Sequence, residues 1–442
     1  MKDLYIKDIL HNRVATSSCS TMGWIKSKRT SKQTIFIDLC DSTGCIQLVL
    51  EKATLGGDIF NQAKKITIES AIEISGTIND TKNNREIIVN SFTIISAATK
   101  HFTPELRSDF DVFDEKYTSH ILSNRHLYIR NPKLMAIQKF RNLLLYHMRT
   151  WFFENDFLEI AAPVLTNTTL YDAESTAIPV NLHGQSVFLS QCAGYYLEAS
   201  AMAFEKVYNI SPSFRAEESK SKRHLIEYWH IKAELTFGNL EDIINIVETI
   251  IRYLIEKLQQ EKEIENIFKT LDTEFCLDGL KTPYPHISYE EAVSLLQENG
   301  CDIKFGESIG NEKEEKILFE KFRSPLWLMG MPRSVEPFPY VIDEKDNRVT
   351  KTADLIASNL CGELLGVAEK IYDIQMLDER FREKGLNKDA RYEWIRDVHK
   401  MGCVPHIAFG MGVERLIRWL MNIPHVRDAH PFPRIFDRKF IV

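Results

Sequence analysis

Phe214-Arg215-Ala216-Glu217 and Arg223-His224-Leu225-Ile226-Glu227-Tyr228-Trp229 flank the polar run Glu218-Ser219-Lys220-Ser221-Lys222. This arrangement sets Arg215 on one side of the run and Arg223 on the other. Arginine presents a planar fork of donors that suits bidentate contacts with phosphate. Glu217 can accept from an adenine amino group, and Tyr228 offers a flat face on which a ring can stack. The chemistry these residues share is the holding of a purine nucleotide. A hairpin with ordinary surface ion pairs would use the same residue types, and on this stretch alone both readings stay open.

The elements that must position these side chains are legible around them. Val207-Tyr208-Asn209-Ile210 has the β-branched and aromatic bias of a strand, the polar run cannot continue it, and Arg223 to Phe237 alternates again. The expected unit is strand, basic loop, strand. A second stretch, Ala408-Phe409-Gly410-Met411-Gly412-Val413-Glu414-Arg415-Leu416, has glycines that let a strand and a helix start pack closely. It places Arg415 on the first turn of a helix expected over 413–421, where anions are favoured.

A chain of 442 residues is too long for one compact core and predicts two or three domains. Its 44% apolar and 26% charged content fits a globular protein. The net charge of −7 does not advertise nucleic-acid binding, although a local basic patch would suffice for it. The eight cysteines form no Cys-x-x-Cys pair, so free buried thiols are expected rather than a disulfide framework or zinc site. Met1-Lys2-Asp3-Leu4-Tyr5 has no apolar signal core, no window approaches a membrane span, and the expected compartment is the cytosol.

Residues 14–100 are β-rich. Strands are expected at Ile35–Leu39, Cys45–Leu50, Ala71–Gly76 and Glu86–Asn90, with turns at Asp41–Gly44 and Asn79–Lys82. About five strands in this length suit a small barrel of the oligonucleotide-binding kind. Lys26, Lys28, Arg29 and Lys32 cluster near Trp24 and Phe36, the local pattern for single-stranded RNA, although a solvated strand edge looks similar. Residues 104–133 read as a polar, irregular hinge between a domain over 1–103 and another over 134–442. Helices are expected over 134–154 and 239–262, a charged helical surface segment over 289–324, and strands over 326–342 and near 361–369.

Three segments resemble, in order and spacing, the signature motifs of class II aminoacyl-tRNA synthetases. They are the helix ending before Phe157-Leu158-Glu159-Ile160 and Pro163, the two-arginine stretch from Phe214 to Trp229, and Gly410 to Arg415. Tyr196-Leu197-Glu198-Ala199, Gly385-Leu386-Asn387-Lys388, Val404-Pro405-His406 and Arg427-Asp428 with Pro431–Arg434 resemble the aspartyl/asparaginyl branch, and the asparaginyl enzymes most. The resemblance implies an α+β fold: an N-terminal OB-fold barrel, then a catalytic domain with an antiparallel sheet flanked by helices. It also implies a homodimer built on the first motif.

The implied activity is ATP-dependent formation of an aminoacyl-adenylate and transfer of the acyl group to tRNA. By resemblance, Arg215 and Arg415 are catalytic. Arg215, Glu217, Arg223, His224, Leu225, Tyr228, Glu363, Gly412 and Arg415 bind ATP, and Glu363 with Asp354 holds Mg²⁺. The separation of Asp354 from Glu363 is about one residue longer than the family pattern. Arg29, Phe36 and Gln47 fall where the barrel reads the anticodon, and Arg333 stands where lysine is commoner.

The amino-acid pocket resembles the family least. Its expected members are Tyr171, Gln191, Gly194, Lys232 and Lys370. Gly194 replaces a glutamine, Tyr171 an acid with Asp172 and Glu174 nearby, Lys232 an acid, and Lys370 an arginine. Two readings follow: an asparaginyl enzyme with compensating neighbours, or a paralogue that adenylates a different, aspartate-like or non-standard carboxylate for a biosynthetic or amidation reaction. A silent RNA-binding relative is disfavoured by the retained Arg215, Glu217, Glu363 and Arg415, and a tRNA-independent enzyme by the retained barrel.

Overall fold

The computed structural model describes residues 2, 4–11, 17–80, 85–99, 110–170 and 173–439. The chain divides into two compact units, Met1–Phe110 and Asp111–Val442. Among the described residues, no helix is long and apolar enough to cross a membrane.

In the first unit, β1 (Ser18–Thr30), β2 (Thr34–Cys40), β3 (Cys45–Glu51), β4 (Ala71–Asp80) and β5 (Arg85–Ser96) close into a barrel in the order β1-β2-β3-β5-β4. The alternating apolar residues point inward: Ile35, Ile37, Leu39, Leu48, Leu50, Ile72, Ile74, Ile87 and Val89 form the core. The helix α1 (Gly57–Lys65) adds Phe60 and Ala63 to it. At the β2–β3 turn the Asp41 carboxylate accepts from the Thr43 and Gly44 amides, at 2.7 and 3.2 Å.

That turn corrects one expectation. Cys40 and Cys45 are directly opposed across the antiparallel pair and form a disulfide, so they are not free thiols. A five-residue separation gives no hint of this until the turn folds the two strands together. Cys19, Cys192, Cys276, Cys301, Cys361 and Cys403 are free. The expected turn at Asn79–Lys82 lies partly outside the described residues; its first two residues end β4.

The second unit is built on an eight-stranded sheet. Its members are β6 (Leu158–Glu159), β10 (Lys206–Phe214), β11 (Glu227–Thr236), β12 (His286–Ser288), β13 (Leu326–Met329), β14 (Thr352–Ala357), β15 (Gly362–Lys370) and β16 (His406–Gly412), in the order β12-β13-β14-β15-β16-β11-β10-β6. The six central strands are antiparallel, and the outermost pair at each edge is parallel, so the sheet is mixed. A three-stranded sheet of β7 (Leu165–Thr166), β8 (Ile178–Leu182) and β9 (Gln185–Leu189) lies apart from it.

Helices flank the large sheet. α2 (Pro132–Glu154) starts on an Asn131 cap with proline at its first position, and it buries Phe140, Leu144 and Phe152. The Phe152 ring stacks on Tyr208 of β10 at 4.0 Å. α3 (Gly194–Phe204) and α4 (Leu240–Gln259) follow, α4 opening with an Asn239/Asp242 capping box. The charged segment contains α5 (Tyr289–Glu298) and α6 (Glu312–Phe322), each with its own capping box, separated by a loop that turns at Gly306 (φ +97°). α7 (Ile374–Glu383) and α8 (Val413–Met421) complete the set used below.

Three further expectations change. The segment expected as an irregular hinge contains helical turns at Glu115–Tyr117, Thr118–Ser123 and Arg125–Tyr128, while 104–109 lie outside the described residues. Buried Arg125 donates to the carbonyls of His430 and Pro431, which ties this segment into the second unit. The strand expected over 326–342 stops at Met329, because Gly330 adopts φ +73° and three prolines follow within ten residues. The second strand of the nucleotide hairpin starts at Glu227, not Arg223, so Arg223 and His224 belong to the loop.

Candidate active site

β10 and β11 pair from Lys206↔Leu235 to Phe214↔Glu227, which fixes the loop 215–226 at the strand ends. Backbone bonds anchor that loop: Arg215 N to Ile226 O at 2.9 Å, Ala216 N to Thr176 O at 2.7 Å, and Val426 N to Lys222 O at 3.1 Å. The Arg215 guanidinium sits 5.9 Å from the Tyr228 ring centre and 3.8 Å from Glu217 Oε1. His224 Nε2 lies 3.6 Å from Glu217 Oε2, and its Nδ1 faces the Ser219 and Ser221 hydroxyls. Burial, then Arg415, lowers the pKa of His224, which keeps the ring neutral.

Arg415 arrives from the start of α8. It donates to the Glu363 carbonyl at 2.8 Å and lies 3.4 Å from the Glu363 carboxylate. Next to it, buried Glu414 accepts from Arg141 of α2 at 2.7 Å and from the Trp229 amide at 3.0 Å. One carboxylate thus ties α2, β11 and α8 together, and removing either ionic partner would strand a buried charge. Arg223 turns to α6, where it donates to the buried Glu315 carboxylate and the Gly310 carbonyl. Leu225 is buried, and Gly412 caps α8.

These residues surround one cavity of about 360 Å³, lined by Arg215, Glu217, Arg223, His224, Leu225 and Tyr228 and by Asp354, Glu363, Gly412 and Arg415. Its floor is a row of the sheet: Lys232↔Gly410 across β11/β16, Gly410↔Gly366 across β16/β15, and Gly366↔Asp354 across β15/β14. The glycines are required by close approach. A Cβ on Gly366 would lie 2.9 Å from Asp354 Oδ1, and one on Gly410 2.8 Å from His230 Nε2.

The one-residue excess between Asp354 and Glu363 is absorbed in the sheet. Leu355 pairs with Leu365, but Ile356 pairs with Glu363, so β15 carries a bulge at Leu364. A bulge inserts one residue without a partner and reverses side-chain parity beyond it. Glu363 therefore faces the same cavity as Asp354, joined there by Glu336 from the loop after β13. Burial, then Glu363, raises Glu336 to about 7. Burial, then Glu363 and Glu336, lifts Asp354 well above the usual carboxylate range. Crowded oxygens of this kind suit a hard cation such as Mg²⁺.

Of the expected amino-acid pocket, Tyr171 lies outside the described residues, as does Asp172. Lys232 lines the cavity. Gly194 opens α3, and its Cβ direction meets Lys232 Nζ at 3.4 Å. Gln191 holds the chain around the pocket, accepting from Leu170 N at 2.7 Å and donating to Thr176 Oγ1 at 3.0 Å. Lys370 is placed behind the cavity rather than on its lining. It is buried, 3.0 Å from Glu198 Oε2 and 3.6 Å from Glu234 Oε1, with His406 3.4 Å from the same Glu234 oxygen. Burial opposes the charge of Glu198, but Lys370 and then His406 outweigh it and hold the carboxyl far below its usual range.

Sequence reasoning missed Glu336, Glu315, Glu414 and His230. His230 was within reach, because it alternates with Tyr228 and Lys232 on one face of β11. Glu336 sits in an aperiodic loop, and Glu315 reads as one acid among many on a surface helix; neither carries a local signal.

In the barrel, Arg29 lies over the Phe36 ring at 5.7 Å and donates to Gln47 Oε1 at 3.1 Å, so these three share one patch. The wider basic cluster is mostly committed elsewhere: Lys26 pairs with Glu69 at 2.7 Å, and Lys28 donates to the Lys64 and Ile66 carbonyls at the end of α1.

Comparison with known proteins agrees with this geometry. Residues 118–435 match the tRNA synthetases class II (D, K and N), and residues 20–95 match the OB-fold nucleic acid binding domain. The asparagine--tRNA ligase of Thermococcus kodakarensis is 35% identical over 421 residues, covering 95% of each chain. That of Desulforamulus reducens is 34% identical, covering 95% of this chain and 96% of the relative. The crystal structure of asparaginyl-tRNA synthetase from Pyrococcus horikoshii complexed with asparaginyl-adenylate superposes with a TM-score of 0.89 at 30% identity, covering 100% of this chain and 99% of that one. A barrel followed by a synthetase sheet, with the second and third signature segments meeting at one cavity and both family models matched, leaves one family: this chain belongs to the class II tRNA synthetases of the D, K and N group.

Proposed function

We propose that the protein is an aminoacyl-tRNA ligase of the asparaginyl type, which activates its amino acid as an adenylate and transfers it to tRNA. The observation that carries this is the convergence of Arg215, Glu217, His224 and Tyr228 from one hairpin with Glu363 from β15 and Arg415 from α8. Asparagine as the amino acid comes from the names of the relatives above.

In the first step the substrate carboxylate attacks the α-phosphate of ATP and pyrophosphate leaves. No covalent protein nucleophile is needed, so positioning and charge stabilisation carry the rate. Arg215 holds the α-phosphate as negative charge builds. Glu217 and Tyr228 select and stack adenine, with Leu225 and Gly412 shaping the site. Arg223, His224 and Arg415 hold the outer phosphates. Glu363, Asp354 and Glu336 would hold Mg²⁺, which when bound supplies charge neutralisation on the phosphates.

The barrel, over residues 1–103, would read the anticodon through Arg29, Phe36 and Gln47, and residues 134–442 would catalyse. The cytoplasm, where tRNA is charged, is the proposed compartment. A homodimer is supported by the apolar strip on α2 and β6, where Tyr146 is 61%, Phe153 81% and Leu158 47% exposed. The test is ATP–pyrophosphate exchange across the standard amino acids, followed by tRNA charging. Exchange with asparagine and charging of a tRNA are expected; exchange with no amino acid at all would overturn the reading.

A further inference from the structure

At the inner end of the cavity the balance of charge is uneven. Beyond that end, on the sheet face that also carries Lys232, Glu198 and Glu234 face Lys370 and His406, two acids against two bases. His406 counts as a cation: burial works against its charge, but Cys403, Glu198 and Glu234 outweigh it and raise its pKa to about 10. Lys232 stands in addition to this balanced set. Among the described residues, its ammonium makes no hydrogen bond and no ion pair. His230, its neighbour on the same strand face, is neutral, because burial and then Lys232 lower its pKa far below the usual value.

The surroundings keep Lys232 available to a ligand. The residue facing it from α3 is Gly194, which adds no side chain of its own; Cys192 Sγ and Lys232 Nζ each lie 3.4 Å from where its Cβ would stand. Along the floor, Gly410 and Gly366 separate it from the nearest acid in the row, Asp354. Three strand spacings put those two backbones about 14 Å apart, too far for an ion pair. The inner end therefore carries, in the Lys232 ammonium, a donor without an ion-pair partner and a surplus positive charge. Ammonium donates and cannot accept, so it favours an oxygen over an amino group and an anionic oxygen over a neutral one.

We propose that Lys232, left uncovered by Gly194, reads the side-chain oxygen of the amino acid and accepts a carboxylate there, so that the enzyme activates aspartate alongside asparagine. This rests on the amino-acid activation reading above and names the substrate class of that site. An asparagine side chain can satisfy Lys232 with its carbonyl oxygen; an aspartate side chain also neutralises the surplus charge.

The experiment is ATP–pyrophosphate exchange with aspartate and with asparagine, for the parent and for Lys232→Gln and Lys232→Arg, together with the KM for ATP. The parent is expected to use aspartate within about tenfold of asparagine, and Lys232→Gln to lower the aspartate-to-asparagine ratio of kcat/KM by about thirtyfold or more. Lys232→Arg, which keeps the charge, should restore most of that ratio. Exchange with asparagine alone in the parent, with a ratio unmoved by Lys232→Gln, overturns the inference and leaves the ligase reading standing. A raised KM for ATP with an unmoved ratio also overturns it, by assigning Lys232 to the triphosphate. Absence of exchange with every amino acid overturns the ligase reading itself.

Discussion

Arg223, on the nucleotide loop, is held by the buried carboxylate of Glu315 on α6. The Gly310 carbonyl takes the other terminal nitrogen, and Gly362 passes beneath the guanidinium so closely that no side chain would fit there. The charged helical segment after residue 289 is thereby coupled to the cavity: it supplies the counter-ion that aims one of its arginines.

Glu315→Gln should accordingly loosen Arg223 and raise the KM for ATP about tenfold, since a hydrogen bond to a charged group contributes about 1.5–3 kcal/mol. The KM for the amino acid should stay at its parental value. Exchange kinetics at varied ATP measure this; an unchanged KM for ATP means that Arg223 is aimed by something else.

Arg215→Ala removes the guanidinium beside Tyr228 and Glu217. Loss of one charge-stabilising donor at a reacting centre costs about a hundredfold to a thousandfold in rate. The exchange rate at saturating substrates should fall by that amount with the fold intact by circular dichroism. Retained exchange would remove Arg215 from the α-phosphate.

The buried set around His406 predicts a pH dependence of stability. Its pKa rises on folding from 6.5 to about 10, so its contribution is complete below 6.5 and is lost as the pH climbs towards 10. Glu198 shifts the other way, downward from 4.5, so its contribution is complete above 4.5 and fades as the pH falls. The stabilisation from this set is therefore fullest between 4.5 and 6.5 and declines on the alkaline side, which thermal unfolding of the parent against a His406 variant across pH measures. His406→Gln should lower Tm and flatten that alkaline slope; an unaltered slope would assign it to other groups.

In the barrel, Phe36→Ala should weaken tRNA binding by about 1–3 kcal/mol, the range for one base stacked on an aromatic ring. Exchange without tRNA should be unaffected, because the barrel takes no part in adenylate formation. Filter binding alongside exchange separates the two, and equal tRNA affinity would refute the anticodon role.

Phe153 projects from the end of α2 with most of its surface exposed. If a second copy covers it, Phe153→Asp buries a charge at that contact and should convert a dimer to a monomer by light scattering. A parent that is already monomeric would rule out the dimer.

Much of the site was legible because its signals are local. Period-two alternation marked β10 and β11, the polar run marked the loop between them, and the Gly410–Arg415 stretch marked the entry to α8. The barrel was legible for the same reason, in short alternating strands broken by Asp41–Gly44. The bounds were less so: Arg223 alternates as a strand residue would, yet the loop claims it, because Glu315 and Gly310 from a distant helix bind it there.

The sequence by itself determined which residue types are available: arginines for phosphate, carboxylates for a cation, and two lysines where the family pattern has an acid and an arginine. Only the tertiary structure decided what each one faces. Lys370 meets Glu198 from α3 and Glu234 from β11 and is neutralised behind the cavity, while Lys232, two residues before that same Glu234, meets a glycine and stays turned to the ligand space. Cys40 and Cys45 become partners because a hairpin opposes them, and Glu363 joins Asp354 because one bulge restores its parity. The physical reason is common to all four. A charge or a thiol acquires its role from neighbours that strand pairing and helix docking bring from elsewhere in the chain, and spacing along the sequence does not record those neighbours.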